Sequence, residues 1–163
     1  MQGRSTATAC MSDERFTLDT NILVHAMDGQ AGPRQASAAR IIDLARQADC
    51  WLALQAISEF YAAVIRKRLV AAAAARDQAL DWLTMFPTAA ASATAVRDAL
   101  ALAVNQRASY WDALLLRTVA ETGCTAMLTE DLADGTTLAG VRIVNPFAGE
   151  VLSPDAEALL KSG

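Results

Sequence analysis

Residues 16–26 read FTLDTNILVHA, and within this stretch a short apolar run changes into a helical pattern at one acidic residue. Residues 16–18 predict a brief buried strand, and the apolar spacing of residues 20–27 predicts a short helix. Asp19 therefore stands at the carboxyl end of the predicted strand, the edge at which open parallel sheets bind their ligands. The same position also suits a helix N-cap, a role that Asp19 or Thr20 can fill without any further function.

The chain on both sides of this stretch alternates short strands with amphipathic helices. Helices separated by short strands indicate a parallel sheet with right-handed crossovers, so we predict an α/β fold with a short central parallel sheet flanked by helices. Further strands are predicted near residues 50–54, 87–90, 125–129 and 141–144, and further helices near residues 33–48, 56–69, 70–86, 93–106 and 109–119.

Length and composition bound the class of protein. A chain of 163 residues with 53% hydrophobic content is long enough for one domain with a real core. No apolar run approaches the roughly 20 residues of a membrane span, and no secretory signal is evident. Cys10, Cys50 and Cys124 are odd in number and lack metal-ligand spacing. This pattern favours free thiols and a cytoplasmic location.

The net charge of −4 excludes a protein that coats nucleic acid by bulk electrostatics, but it does not exclude a nuclease. Acidic residues gathered around a cation are offset locally by the metal that they bind. The basic triplet Arg66-Lys67-Arg68 can hold phosphates, or it can simply be the solvated end of a helix.

Glu59 follows the second predicted strand and lies in the first turns of the next helix. The helical rotation of 100 degrees per residue points it away from the apolar stripe that includes Ile57, Phe60 and Val64. Such a carboxylate is either an ordinary solvated side chain or a group that is free to face a cleft.

Two further acids occupy comparable positions. Asp112 shares a helix face with apolar residues such as Leu115, where water solvates a charge less well. It also fits a capping box that begins at Ser109. Asp131 follows the strand predicted near residues 125–129, and it can equally be a turn residue.

Strand and helix assignments nevertheless bring four acids to the same edge of a parallel sheet, which predicts one site: Asp19, Glu59, Asp112 and Asp131.

These residues also carry a family resemblance. In order and spacing, the chain resembles the PIN-domain ribonucleases, and especially the toxins of VapBC-type toxin-antitoxin pairs. The resemblance implies a single PIN-like domain at residues 15–147. Residues 1–14, which are polar and lack periodicity, are predicted to be a flexible leader, and residues 148–163 a C-terminal tail. It rests on the segments Leu18-Asp19-Thr20-Asn21, Ile57-Ser58-Glu59-Phe60, Tyr110-Trp111-Asp112-Ala113 and Leu128-Thr129-Glu130-Asp131-Leu132.

By this likeness the four acids hold divalent metal, with Asn21 and Thr129 as supporting polar residues. Asp19 and Asp112 would be direct ligands, while Glu59 and Asp131 would bind a second ion or position water. Glu130 and Asp134 stand close enough in sequence to replace Asp131. An all-oxygen ligand set suits Mg²⁺, and Mn²⁺ is an acceptable substitute.

The implied function is a divalent-metal-dependent endoribonuclease that cleaves RNA phosphodiesters as the toxin of a toxin-antitoxin pair. Its implied partners are RNA, a cognate antitoxin protein and a second copy of the chain in a homodimer. Two alternatives remain open: a non-catalytic PIN-like binding module, and a phosphatase that uses Asp19 as its nucleophile. The phosphatase is disfavoured because Asn21 stands where such enzymes commonly carry a second aspartate.

Three residues with ring side chains lie near the acids in the sequence, and for two of them a structural role is favoured. His25, the single histidine, is predicted to pack in its helix instead of acting as a general base. Trp111 and Tyr110 can stack on a base, but the spacing of Trp111 with Leu114 and Leu115 favours a place for Trp111 in the core.

Overall fold

The computed structural model describes residues 14–161; the leader predicted at residues 1–14 lies outside this range except for Glu14. Within it, eight strands and seven helices follow one another as β1 (Phe16–Leu18), α1 (Thr20–Met27), α2 (Pro33–Ala45), β2 (Leu52–Ala53), α3 (Leu54–Arg66), α4 (Ala72–Met85), β3 (Thr88–Ala89), α5 (Ala93–Val104), α6 (Tyr110–Ala120), β4 (Ala126–Leu128), β5 (Thr137–Leu138), β6 (Val141–Val144), β7 (Phe147–Ala148), β8 (Val151–Leu152) and α7 (Pro154–Leu160).

The central sheet confirms the predicted α/β class. Its strand order is β1-β4-β6-β5, with β1, β4 and β6 parallel and the short β5 antiparallel at the edge. The pair β2 and β3 is also parallel. The chain just before β2 runs beside β1, because the amide of Phe16 donates to Asp49 and the amide of Trp51 donates to Phe16. All of the predicted strands are therefore present.

Element boundaries differ from the sequence prediction mainly around α3. The predicted strand near residues 50–54 is only two residues long, because helix α3 already begins at Leu54 and not at Ala56. The helix also ends early, at Arg66, and Arg68 adopts a left-handed φ of 56° that helical backbone cannot continue. Apolar periodicity marks the middle of an element better than its ends, since a strand and a helix here share one continuous apolar run.

The core lies between the sheet and the helices on its faces. Strand side chains such as Phe16, Leu128 and Ile143 are fully buried, as expected for a parallel sheet covered on both sides. Phe60 of α3 meets Trp82 of α4 edge to face, with ring centroids 4.6 Å apart. This pair fixes α3, the helix that carries Glu59, against α4.

The segment after residue 147, which the sequence suggested was a tail, contains β7, β8 and the helix α7. Ser153 caps α7 by accepting a hydrogen bond from the amide of Ala156. Leu159 and Leu160 are buried in the main hydrophobic core. Residues 147–160 thus pack as part of the same body as the sheet.

The prediction of free thiols is confirmed for the two cysteines that the structure describes. Cys50 and Cys124 are both buried free thiols, as predicted, while Cys10 lies outside the described residues. Between residues 14 and 161, no helix combines the length and the apolar character that crossing a membrane requires.

Candidate active site

Asp19 occupies the predicted junction between β1 and α1 and is buried there. Its backbone amide donates to the carbonyl of Leu128, which ties the end of β1 to the end of β4. One carboxylate oxygen accepts from the amide of Thr20 at 2.7 Å, and the other accepts from the hydroxyl of Thr129 at 2.7 Å. Asp19 is therefore the helix N-cap, and at the same time it faces the edge at which two parallel strands end.

Burial raises the pKa of Asp19 to about 6, against an ordinary value of 3.8. The charges of Asp131 and Asp112 raise this pKa further, while the hydrogen bonds from Thr129 and Thr20 lower it. Loss of solvation disfavours a charged carboxylate, and like charges nearby add to the effect. Burial and two neighbouring carboxylates thus raise the pKa of Asp19 by more than its two hydrogen bonds lower it.

Glu59 reaches the same edge from α3. Its carboxylate accepts from the hydroxyl of Thr20 at 3.2 Å and from the side-chain amide of Gln55 at 2.8 Å. Gln55 precedes it by four residues, the spacing that stacks two side chains on one helix face. Glu59 is half-buried, so of the two alternatives that the sequence left open, it faces the cleft and is not an ordinary solvated side chain.

Asp112 satisfies both of the accounts that the sequence left open. Its amide donates to the hydroxyl of Ser109 at 3.2 Å, and that hydroxyl donates to the Asp112 carboxylate at 2.6 Å. Ser109 is the N-cap of α6, so the cap exists. The carboxylate nevertheless lines the same cleft as Asp19 and Glu59.

Asp131 faces this cleft from the loop after β4. Its amide donates to the Thr129 hydroxyl at 3.1 Å, and its carboxylate accepts from the side-chain amide of Asn21. Burial raises the pKa of Asp131, and the charges of Glu130 and Asp112 raise it further. The two residues predicted to be supporting polar groups, Asn21 and Thr129, thus contact Asp131 and Asp19 directly.

The neighbouring acids Glu130 and Asp134 point elsewhere. Glu130 accepts from Arg34 and pairs with His25, so its carboxylate is turned toward α1 and α2. Asp134 accepts from the amide of Asn145 at 2.8 Å and holds the loop before β7. Neither residue lines the cleft that Asp131 lines.

All four predicted acids therefore line one cleft of about 690 Å³ at the carboxyl ends of β1 and β4. Its walls come from the first turn of α1, from α3, from the start of α6 and from the loop after β4. The lining residues are Asp19, Thr20, Asn21, Gln55, Ser58, Glu59, Ala62, Ala63, Arg66, Trp111, Asp112, Leu114 and Asp131.

Comparison with known proteins places this cleft in a family. The family model for the PIN domain matches residues 16–133, which is most of the chain and includes every acid of the cleft. The chain belongs to the PIN domain family. The fold is similar to that of the crystal structure of Mycobacterium tuberculosis VapC20, a Sarcin-Ricin loop cleaving toxin, with a TM-score of 0.59 and 16% sequence identity. That match covers 71% of this chain and 89% of VapC20. No curated protein sequence matches the chain significantly.

The oxygen-bearing side chains of this PIN-domain cleft are of the kind that binds a hard divalent cation. The polar groups at the centre of the cleft are carboxylates, hydroxyls and amides, and oxygen ligands of this kind suit magnesium or manganese. Each carboxylate is held by neutral donors, and a carboxylate oxygen that accepts one hydrogen bond retains a second lone pair. Between residues 14 and 161, however, no three acidic, histidine or cysteine side chains are close enough to form a ready metal-binding group. Mg²⁺ keeps several waters and commonly binds proteins through one or two carboxylates, so the cleft need not bring three acids together at once.

Sequence reasoning missed several residues of the PIN-domain cleft. Thr20 and Gln55 hold Glu59, and the spacing of four residues between Gln55 and Glu59 was the one local signal. Arg66, whose triplet the sequence assigns either to phosphate binding or to a solvated helix end, lines the cleft. The prediction that Trp111 belongs to the core is wrong, because 59% of its surface is exposed.

The prediction for His25 agrees with its surroundings in this PIN domain. The imidazole is half-buried, pairs with Glu130 and meets the ring of Phe147 edge to face. Arg34 stacks over the same phenyl ring at 4.3 Å. His25 is absent from the cleft lining and serves instead to hold the loop that leads to Asp131.

Proposed function

We propose that this PIN domain is a divalent-metal-dependent endoribonuclease in which Asp19, Glu59, Asp112 and Asp131 form the catalytic acid set. The observation that carries the proposal is the convergence of these four carboxylates on one cleft around the buried Asp19. Burying a carboxylate near others is unfavourable unless a cation or a proton offsets the charge. A functional demand for cation binding explains why the fold keeps this arrangement.

The residues have distinct parts in this proposal. Asp19 and Asp112 would be direct ligands of Mg²⁺ or Mn²⁺, and Glu59 and Asp131 would hold a second ion or orient water. When bound, the metal supplies Lewis-acid activation of water for attack on a phosphodiester and stabilises charge on the departing oxygen. Thr129 holds the Asp19 carboxylate in its orientation, Asn21 does the same for Asp131, and Thr20 and Gln55 do so for Glu59.

The phosphatase alternative is weaker because Asn21 stands two residues after Asp19, where phosphatases with an aspartate nucleophile commonly carry a second aspartate. Asn21 instead donates to the carboxylate of Asp131. The non-catalytic alternative retains the same cleft, and only an activity measurement separates it from the nuclease.

Cleavage of RNA under metal control tests this proposal. Purified protein, free of any inhibitor, should cut single-stranded or loop RNA with magnesium or manganese and stop on addition of EDTA. Asp19→Asn should lose this cleavage, whereas Asp43→Asn, an exposed acid on α2 outside the cleft, should retain it. Cleavage that survives both EDTA and Asp19→Asn would contradict the mechanism. A panel of structured RNAs is required, because RNA specificity depends on loop shape.

We further propose that the nuclease is the cytoplasmic toxin of a toxin-antitoxin pair, that it forms a homodimer and that a cognate antitoxin protein covers its cleft. This part rests on the resemblance to VapC-type toxins, while the buried free thiols Cys50 and Cys124 support a reducing compartment. Exposed apolar side chains on α4 and α5, such as Leu80 and Val104, support a further interface. Light scattering that shows a monomer across micromolar concentrations would reject the dimer. Failure of any small protein encoded alongside it to block cleavage would reject the antitoxin.

A further inference from the structure

Trp111 is an exposed tryptophan on the wall of the acidic cleft. The residue is 59% exposed, while Leu114, one helical turn further along α6, is buried and lines the same cleft. A large aromatic ring left in water beside a polar cleft contributes little to the core, and exposed apolar surface of this kind is characteristic of binding sites.

The position of Trp111 is fixed relative to the acids. The side-chain amide of Gln55 donates to the carbonyl oxygen of Trp111 at 2.9 Å and to the carboxylate of Glu59 at 2.8 Å. Tyr110 meets the indole edge to face, with ring centroids 5.2 Å apart. One glutamine thus joins the backbone at the start of α6 to the wall formed by α3, and Trp111 and Glu59 line the same cleft.

Arg66 stands on the same wall, seven residues beyond Glu59. At the helical rise per residue, this separation is about 10 Å along α3. The side chains between them that line the cleft, Ala62 and Ala63, are small and leave the space open. Within residues 14–161, no carboxylate pairs with Arg66. Its guanidinium is therefore available to an anion that lies in the cleft.

We propose that Trp111 and Arg66 form a nucleotide subsite of this nuclease. An unpaired base stacks on the indole of Trp111, and a phosphate of the same strand pairs with the guanidinium of Arg66. Aromatic rings bind single-stranded RNA by stacking on unstacked bases, and arginine matches phosphate with two parallel hydrogen bonds. A strand whose scissile phosphate lies at the acids must continue along the cleft, and this subsite is where it would continue. The inference rests on the proposed nuclease function and adds that the substrate presents an unpaired nucleotide.

Binding of oligouridine tests the subsite. All compared proteins carry Asp19→Asn so that the strand is not cut, and affinity is measured by fluorescence anisotropy over a range of salt. Trp111→Ala should weaken binding at least about fivefold, as removal of one stacking ring does. Trp111→Phe should retain most of the affinity. Binding to an abasic strand of the same length should be unaffected by either change.

The role of Arg66 is tested by how the affinity for RNA depends on salt. Arg66→Gln should reduce the slope of log affinity against log salt by about 0.7, the value for one phosphate contact on a single strand. Lys67→Gln removes the same charge at the neighbouring residue, which is absent from the cleft lining, and should leave the slope unchanged. Val104→Ala is the matching control for loss of exposed apolar surface. In the otherwise unchanged protein, Trp111→Ala should raise KM for RNA cleavage with little change in kcat.

The outcomes separate the subsite from the nuclease itself. If the parent cleaves RNA with metal but Trp111→Ala and Arg66→Gln match their controls in affinity, salt slope and KM, the subsite is wrong and the nuclease remains. If Trp111→Ala weakens the abasic strand equally, or if duplex RNA binds as tightly as the single strand, the stacking role is wrong. If the parent neither binds nor cleaves RNA with magnesium or manganese, both proposals fail.

Discussion

Thr129 donates its hydroxyl hydrogen to a carboxylate oxygen of Asp19 at 2.7 Å, although 110 positions separate the two residues. The same hydroxyl accepts from the amide of Asp131 at 3.1 Å. One fully buried threonine at the end of β4 therefore connects the acid that follows β1 with the acid that follows β4. The parallel pairing of these strands makes the contact possible, because it brings both carboxyl ends to one edge.

Thr129→Val should destabilise the protein and impair cleavage. A hydrogen bond to a charged group contributes about 1.5 to 3 kcal/mol, and its loss leaves Asp19 less well solvated. The pKa of Asp19 should rise further, because the Thr129 hydrogen bond lowers it. Urea unfolding measures the first effect, and metal-dependent RNA cleavage measures the loss of orientation.

Thr17→Val is the matched control for this substitution. Thr17 lies in the middle of β1 and is equally buried, but its hydroxyl has no hydrogen-bond partner among the described residues. Removing an unpaired buried hydroxyl in a strand should leave stability unchanged or raise it. If both variants lose the same stability, the Thr129 hydrogen bond has no special role.

Asp19→Asn should remove a specific pH dependence from the stability of the metal-free protein. Between pH 3.8 and about 6, the unfolded chain has released the Asp19 proton while the folded chain still holds it, so stability falls as pH rises. The total loss is roughly 3 kcal/mol, since the raised pKa spans about two units. Above this window the loss is complete and constant.

The measurement is urea unfolding of parent and variant in EDTA across pH 4 to 7. The variant should be the more stable protein near pH 7, and the difference should shrink toward pH 4. A difference between the two proteins that stays constant over this pH range would show that the carboxyl of Asp19 titrates normally in the folded state.

Much of this site was predictable because its signals are local. At Asp19, a short apolar run is followed by an acid and then by a helical pattern. At Asp131, a strand pattern is likewise followed by an acid. The α/β class then places those acids at one sheet edge, without any knowledge of side-chain packing. The strand β5 was not predicted, since two residues between glycine turns carry no detectable alternation.

The rest depended on contacts that are distant in sequence. Glu130 could not be separated from Asp131 by pattern, because its partners Arg34 and His25 lie about a hundred residues away. The sequence spacing groups Trp111 with the buried Leu114 and Leu115, yet Trp111 stands in the first turn of α6 and is 59% exposed. Helical periodicity indicates a face of the helix, but burial depends on what lies opposite that face.

Asp131→Asn and Glu130→Gln should differ in what they impair. Asp131→Asn should abolish metal-dependent cleavage with little loss of stability, because Asp131 is exposed. Glu130→Gln breaks the pairing with Arg34 and His25 and should cost about 1 kcal/mol of stability while cleavage persists. Thermal unfolding and cleavage rates of the two proteins check this assignment. Full activity in Asp131→Asn with none in Glu130→Gln would reverse the roles of these neighbours.

Asp112→Asn tests whether Asp112 shares a site with Asp19 or only caps α6. Asparagine keeps an oxygen that can accept from Ser109, so the cap loses mainly its charge at the helix amino end, about 0.3 to 1 kcal/mol. Relief of the repulsion that raises the pKa of Asp19 acts in the opposite direction. We therefore expect the melting temperature in EDTA to change little.

The discriminating quantity is the stabilisation that magnesium provides, because a ligand that binds only the folded state raises stability by mass action. If Asp112 is a metal ligand, a tenfold weaker site reduces this gain by about 1.4 kcal/mol at saturating metal. Asp155→Asn is the matched control, since Asp155 also lies in the first turn of a serine-capped helix but outside the cleft. It should lose the same dipole interaction and retain the whole gain from magnesium. An Asp112→Asn protein that gains as much from magnesium as the parent would make Asp112 a cap alone and leave three acids in the proposed set.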